Sequence, residues 1–481
     1  MDIMNGSIKA LRAGGTELTR RMDRKTGLSD VINSMNLKQR GVPLDKIALS
    51  LVSARIDQPK SVFQSVRDIR DRSSALLEFG IDPKDVHVKT YYRGLEKLGE
   101  HGEDIYSKLM DAVDEEFGLD LSVVFADWTS SFFHGNKCTI AKYGHSKDKR
   151  SDKKQIKIGL AMNDKQNIPF YYSVEDGNVV DMDQFKKDFE GFSHRLPEGS
   201  LIVFDKGPKS EKNCDLVTDK HCHYLTAVKD YKYVRKKMQS IDKTQMQHVM
   251  TYKTGENVHV HVEKTNGIYR YFYHDERRAK HDDKKRNKKI KKTLTEKKEM
   301  MDTLKEKGVK ALKKKLTKKK EITKQLNDVV VTTKITIQKR LWKKTDEEII
   351  ADLEKDKDLD GFYALDSSKE LDPKDALQLY RRKDKVEKLI SDLKSVCQIR
   401  PFRVRRENAV KGAVLICMIT ALFIALAQQT SGLVKKAKKT IVDALKGLTL
   451  IVEVDDYGNI LGRKYANVTS FLAKLLGLSL G

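Results

Sequence analysis

The chain has 481 residues, with 94 Lys and Arg against 69 Asp and Glu, a net charge of +25 and a pI near 9.5. A positive field of that size favours polyanions, nucleic acid above all, and the length allows about three domains, each with its own core. Five scattered cysteines without a C-x-x-C pair exclude a disulfide framework, and the opening MDIMNGSIKALRAGG lacks the apolar core of a secretory signal, so the expected compartment is a reducing, nucleoid-associated cytoplasm.

Residues 1–118 read as a helical region suited to DNA binding or dimerisation. Leu44–Ile56, Ser61–Leu77 and Tyr91–Phe117 carry apolar residues at spacings of three and four, with Gly80 and Pro83 as breaks. From Leu121 the period changes to two. LSVVFADWTSSFF, IKIGLAMN and PFYYSVEDG predict three strands, MDQFKKDFEGF a helix and SLIVF a short strand ending at Asp205. A helix near Asn213–Lys220 and a strand at His223–Val228 follow. His221-Cys222-His223 is not read as a zinc site, because strand neighbours point to opposite faces and no second cluster completes a tetrahedron.

Residues 231–358 break the rhythm. Glu276 to Lys320 holds 21 Lys or Arg and 7 Asp or Glu, read as an exposed charged helix or disordered loop and as a clamp that grips DNA backbone without reading sequence, two readings that are compatible. Asp328–Lys339 alternates like a strand. Residues 359–430 return to the earlier pattern, with a strand at Asp360–Leu365 and one amphipathic helix over Pro373–Val396. Gly412–Ala427 is almost wholly apolar, shorter than the roughly 20 residues a bilayer needs, and reads as a buried helix rather than a membrane span. The tail, 431–481, carries another amphipathic stretch and a hairpin around Tyr457-Gly458-Asn459.

Three carboxylates stand out. Asp127 interrupts an apolar strand, where a lone charge is costly unless it is paired or metal-bound. Asp205 ends a strand, and Glu387 lies on the long helix. Tyr380, Lys383, Glu387 and Lys394 are separated by three, four and seven residues, and at about 100° per residue they share roughly 60° of one helix face. A metal ligand beside phosphate contacts fits that face. An ordinary surface helix of mixed charge fits the spacing as well.

The run Tyr380-x2-Lys383-x3-Glu387-x6-Lys394 resembles the Y-x2-R-x3-E-x6-K motif of bacterial and archaeal insertion-sequence transposases of the DDE type, with Lys383 where the family has Arg. Lysine keeps the charge but lacks the planar fork that grips phosphate with two bonds. Asp127-x-Thr129, Tyr143-Gly144-His145-Ser146-Lys147-Asp148-Lys149-Arg150-Ser151-Asp152-x2-Gln155, Gly177-Asn178 with Asp181, Asp205-Lys206-Gly207 with Ser210 and Asn213, Asp360-Gly361-Phe362 and Ile399-Arg400-Pro401 resemble further family blocks in the same order.

The resemblance implies an α/β (α+β) fold: an RNase H-like catalytic domain (119–230 and 359–430) interrupted by the basic insertion and preceded by the helical region. It implies that Asp127, Asp205 and Glu387 are catalytic and bind two Mg²⁺ ions, for which Mn²⁺ can substitute. Tyr380, Lys383 and Lys394 would bind the end phosphate. Arg150 and Lys147 would touch the same strand or form structural ion pairs, with Asp148 and Asp152 orienting the basic groups. The implied partners are double-stranded DNA, as transposon ends and as target, and a second copy of the chain; no membrane is implied. Trp342, Tyr271 and Tyr273 are candidates to stack on a flipped base, with core packing the alternative role, as for Trp128. Rival readings are a nuclease of the same fold that cuts without joining, and a basic DNA-binding protein without catalysis.

Overall fold

The computed structural model describes residues 7–37, 40–133, 137–148, 150, 152–316, 318–326, 329–337, 341–400, 402, 404–455, 457 and 459–479, without the side chains of 307, 309–337 and 342. Lys149, Ser151, Trp342, Pro401 and Gly458, singled out above, therefore lie outside the described residues or side chains.

The chain opens with strand β1 (Ser7–Arg12), then helices α1 (Gly14–Thr26), α2 (Leu28–Ser34), α3 (Leu44–Asp57), α4 (Val62–Arg72), α5 (Ala75–Glu78), α6 (Val88–Glu100) and α7 (Gly102–Phe117). Gly27 and Gly118 end α1 and α7 in left-handed backbone, and the Ser61 side chain caps α4. Strands β2 (Val123–Phe132), β3 (Gln155–Asn163) and β4 (Pro169–Asp176), helix α8 (Asp181–Phe192), strand β5 (Leu201–Phe204), helix α9 (Glu211–Asp219) and strand β6 (His223–Ala227) follow the order predicted from alternation. Next come α10 (Lys232–Ser240), β7 (Gln247–Thr251), β8 (Asn257–Thr265), β9 (Ile268–Asp275), α11 (Glu276–Leu316), β10 (Lys318–Leu326), β11 (Val329–Ile337), α12 (Asp346–Glu354) and β12 (Phe362–Ser367). The chain closes with α13 (Pro373–Arg382), α14 (Asp384–Ser395), α15 (Glu407–Thr430), α16 (Lys438–Leu445), β13 (Thr449–Val454), β14 (Ile460–Ala466) and α17 (Ser470–Leu476).

Two compact units result: residues 1–202 with 382–481, and residues 203–381. In the first, β2, β3 and β4 form an antiparallel ladder in which Trp128 faces Gly159 and Asp127 faces Leu160. The start of β5 lies beside this ladder, its Leu201 N–H donating to the Ser122 carbonyl at 2.8 Å. Strand β3 is buried from end to end. Helix α15 runs 24 residues, longer than the apolar core read from the sequence, and by length and composition alone could cross a bilayer; 89% of its apolar window is buried inside the unit. It packs against α1, α3, α6, α7 and β4. The approach to α6 is close enough that a Cβ on Gly99 would stand 1.8 Å from the Asn408 carbonyl oxygen. A helix apolar all round demands such cover.

The first segment, read as purely helical, opens with a strand. β1 pairs with β13 of the tail, Ser7 opposite Val454, and β13 pairs with β14, so both ends of the chain share one small sheet. Local periodicity does not report a partner so distant in sequence.

In the second unit the strand order is β5–β6–β12–β9–β8–β7, with β12 antiparallel to both β6 and β9. Val234, Met238, Met246, Phe272, Phe362 and Ala364 form its apolar core. Strands β7 to β9 occupy a stretch to which the sequence reading assigned no element, whereas the β11 strand falls where alternation placed it. A Thr345–Glu348 capping box starts α12.

Candidate active site

Asp127 sits in the middle of β2 at 9% exposure, flanked by buried residues. Its Oδ1 accepts the Trp128 N–H at 2.7 Å and the Lys147 ammonium at 3.3 Å. Lys147 also donates to the Trp128 carbonyl, so its chain end is fixed across the strand. A cation and an amide dipole thus stand where water would otherwise solvate this carboxylate.

Glu387 lies in the first turn of α14, and α14 rests on β2 and β3. The helix carrying one predicted carboxylate thus packs on the strand carrying another. Lys383, 7% exposed, reaches Glu387 Oε1 at 2.5 Å, and the glutamate side chain is 53% exposed. The sequence predicts one helix from Pro373 to Val396, but the helix is interrupted at Lys383. Side chains on either side of the break have separate anchors: Arg381 bonds Asp275 at 3.0 Å, while Arg382 and Lys385 both grip Asp164, at 2.9 and 2.8 Å. Tyr380 thus lies near the end of the first of two helices and Glu387 near the start of the second, rather than both lying on one.

At the far end of α14, Lys394 bonds the buried Asp148 at 2.8 Å, and Arg400 donates to the same oxygen. Burial pushes the Lys394 ammonium below its ordinary range, against the opposing pull of Asp148. Asp148 thereby joins α14 to the loop that carries Lys147. Arg150 makes a two-bond fork with Asp152, 2.8 Å on each arm, and lies over the Phe132 ring at 5.2 Å. That guanidinium holds the Asp152 carboxyl down at about 2.

Asp205 belongs to the second unit, just past β5. Its Oδ1 accepts the Lys206 N–H at 2.8 Å and the Tyr380 hydroxyl at 3.2 Å, which brings two predicted site residues together. Beside them opens a cavity of about 370 Å³ whose lining includes Asp205, Lys206, Lys229, Arg235 and Tyr380. Tyr271 and Tyr273 are buried at 1% and 0%, their hydroxyls donating to the Leu371 and Pro373 carbonyls, which is the core role rather than a stacking face. Among the described residues, no three His, Cys, Asp or Glu side chains gather closely enough to hold a metal ion.

One residue beneath Asp127 escaped the sequence reading. Trp128 points away from Asp127 into the core, and its indole N–H donates to Asp188 Oδ2 at 2.6 Å. Asp188 is 2% exposed and also accepts from the Tyr171 hydroxyl at 3.3 Å. Burial raises its carboxyl to about 7 despite the bonds from Ser173 and Trp128. The signal was available: Phe185, Asp188, Phe189 and Phe192 form one helical stripe, so the acid lies on the buried face, and a buried indole requires an acceptor. Gly159, opposite Trp128, makes room, since a Cβ there would stand 2.0 Å from Asp188 Oδ2. Gly159→Ala should therefore destabilise the protein by about 3 kcal/mol, the upper range for overpacking. A urea-unfolding midpoint equal to that of wild type would refute this.

Residues 118–423 match the family described as the transposase DDE domain. A solved structure of a piggyBac transposase synaptic complex with hairpin DNA is similar at a TM-score of 0.44 and 11% identity, over 90% of this chain and 78% of that one. No curated protein sequence matches the chain.

Proposed function

We propose a DNA-cutting and DNA-joining function from one premise: this chain belongs to the transposase DDE-domain family. Membership implies an enzyme of the nuclease and transesterase kind, acting in DNA transposition. The finer reading is cut-and-paste transposition of the insertion-sequence type, with Asp127, Asp205 and Glu387 as the acidic triad of an RNase H-like domain. The observation that carries it is the packing of α14 on β2, which sets the Glu387 helix against the Asp127 strand.

The donor chemistry suits hard divalent cations, because all three groups are carboxylates and Asp127 is already held rigid on a buried strand. Two Mg²⁺ ions, with Mn²⁺ able to substitute, would supply an activated oxygen nucleophile and shield the leaving oxygen. The chain's own groups do the rest. Lys147 and Lys383 compensate the Asp127 and Glu387 charges, and would bind an incoming phosphate once metal ions take over those carboxylates. Tyr380 orients Asp205 through its hydroxyl, and Lys394 with Asp148 braces the far end of α14. Two ends cut together call for a homodimer on duplex DNA.

The test is a strand-transfer assay with duplexes carrying the element's terminal inverted repeats and Mg²⁺. Nicking at the ends followed by joining of the 3′ hydroxyl to a plasmid is expected. Nicking without joined products would favour a simple nuclease, and an inert protein that still binds DNA would favour a non-catalytic role.

A further inference from the structure

Helix α11 sorts its charges. Among the described residues from Arg277 to Lys292, every exposed position is Arg, Lys, His or Asn: Arg277, Arg278, Lys280, His281, Lys284, Lys285, Asn287, Lys288, Lys289, Lys291 and Lys292. The two acids in this stretch are engaged locally. Asp282 accepts the Gly361 N–H at 3.2 Å, and Asp283 holds Arg286 and Asn287 at 2.7 and 3.0 Å. Arg286, 10% exposed, also bonds Asp360 at 2.5 Å, which docks this part of the helix onto its unit. From Lys298 onward the exposed face becomes mixed, with Glu299, Asp302 and Glu306 among the lysines. The predominantly basic face is thus confined to 16 residues, about 24 Å of helix at 1.5 Å per residue.

We propose that this face binds the phosphate backbone of target DNA, the duplex of arbitrary sequence into which ends are joined; this rests on the transposase reading. Charge complementarity identifies a polyanion. The residue types argue for sequence-blind contact. Lysine is a flexible point charge without the fork that reads guanine. The two arginines at the start of the face have their guanidiniums over Tyr252 and Tyr363, at 5.4 and 4.8 Å from the ring centres. At 3.4 Å per base pair, about 24 Å spans roughly seven pairs.

The experiment uses the full-length protein with Lys284, Lys285, Lys288, Lys289, Lys291 and Lys292 all changed to Gln, after thermal melts confirm the fold. Binding to a random-sequence duplex should weaken at least tenfold near physiological salt. The matched pairs locate the effect. Lys288→Gln with Lys292→Gln should flatten the log–log salt slope by about two, at roughly 0.9 per phosphate contact. Lys298→Gln with Lys305→Gln should leave it unchanged. With pre-cut ends, the six-lysine protein should lose joining into plasmid while still nicking intact ends. Equal slope changes from both pairs, a loss confined to the terminal repeats, or preferential loss of RNA over duplex DNA would each overturn the proposal. The binding arms need no chemistry, so an altered slope in a protein that never joins DNA leaves this surface standing and removes the transposase reading instead.

Discussion

Asp127→Asn is expected to abolish cleavage and joining of DNA, by at least about a thousandfold or some 4 kcal/mol of barrier, while duplex binding stays within a few-fold of wild type. The substitution is nearly isosteric. The Asn oxygen still accepts the Trp128 N–H and the Lys147 ammonium that Asp127 Oδ1 now accepts. Lys147 is 38% exposed, so losing a charged partner leaves it hydrated rather than stranded. What the amide removes is the negative charge and one hard oxygen ligand, the two properties that the proposed chemistry needs at this position. Glu387→Gln should behave alike, since it too keeps the bond from Lys383.

Products resolved on a denaturing gel give the readout, with gel shifts for binding and a thermal melt for the fold. Full nicking activity in Asp127→Asn would remove this carboxylate from the chemistry. Loss of binding and melting temperature together would instead mark Asp127 as a structural residue paired with Lys147.

Most of the strand order around Asp127 and Asp205 was legible because these strands are largely apolar runs that end at polar turns. Asp127 was conspicuous for the same reason, as a charge inside an apolar run. What lay beyond local pattern was missed on physical grounds. β1 finds its partner at the other end of the chain. The break at Lys383 separates Arg381 and Arg382 from the helix that follows, and their ion-pair partners, Asp275 and Asp164, are both remote in sequence and so invisible to local periodicity. β8 is different: NVHVHVEKT alternates with period two, a local strand signal in a stretch given no element. Lys394 shows the limit of motif reasoning, because spacing predicts its face of the helix but not that Asp148 would already occupy its ammonium.

Asp188→Asn should make the protein more stable above neutral pH. The acid's ordinary value of 3.8 rises to about 7 in the fold, with burial the main cause. Between those values the native state keeps a proton that the unfolded chain releases, so stability falls as pH climbs from about 4 to 7. The loss over that interval is about 4 kcal/mol as an upper figure. An amide in the same place stays neutral throughout. Its oxygen accepts the Trp128 indole N–H, and its NH₂ donates to the Tyr171 or Ser173 hydroxyl, so the hydrogen bonding survives. The variant should match wild type below about pH 4 and exceed it progressively up to about pH 7, levelling off above, a difference read from paired urea melts in which other titrating groups cancel. Parallel stability curves would show that Asp188 titrates as an ordinary carboxyl. Because Trp128 is the next residue to Asp127 on β2, the same pair of proteins tests whether the core clamp matters to the site: if it does, end nicking should differ most where Asp188 in wild type changes charge.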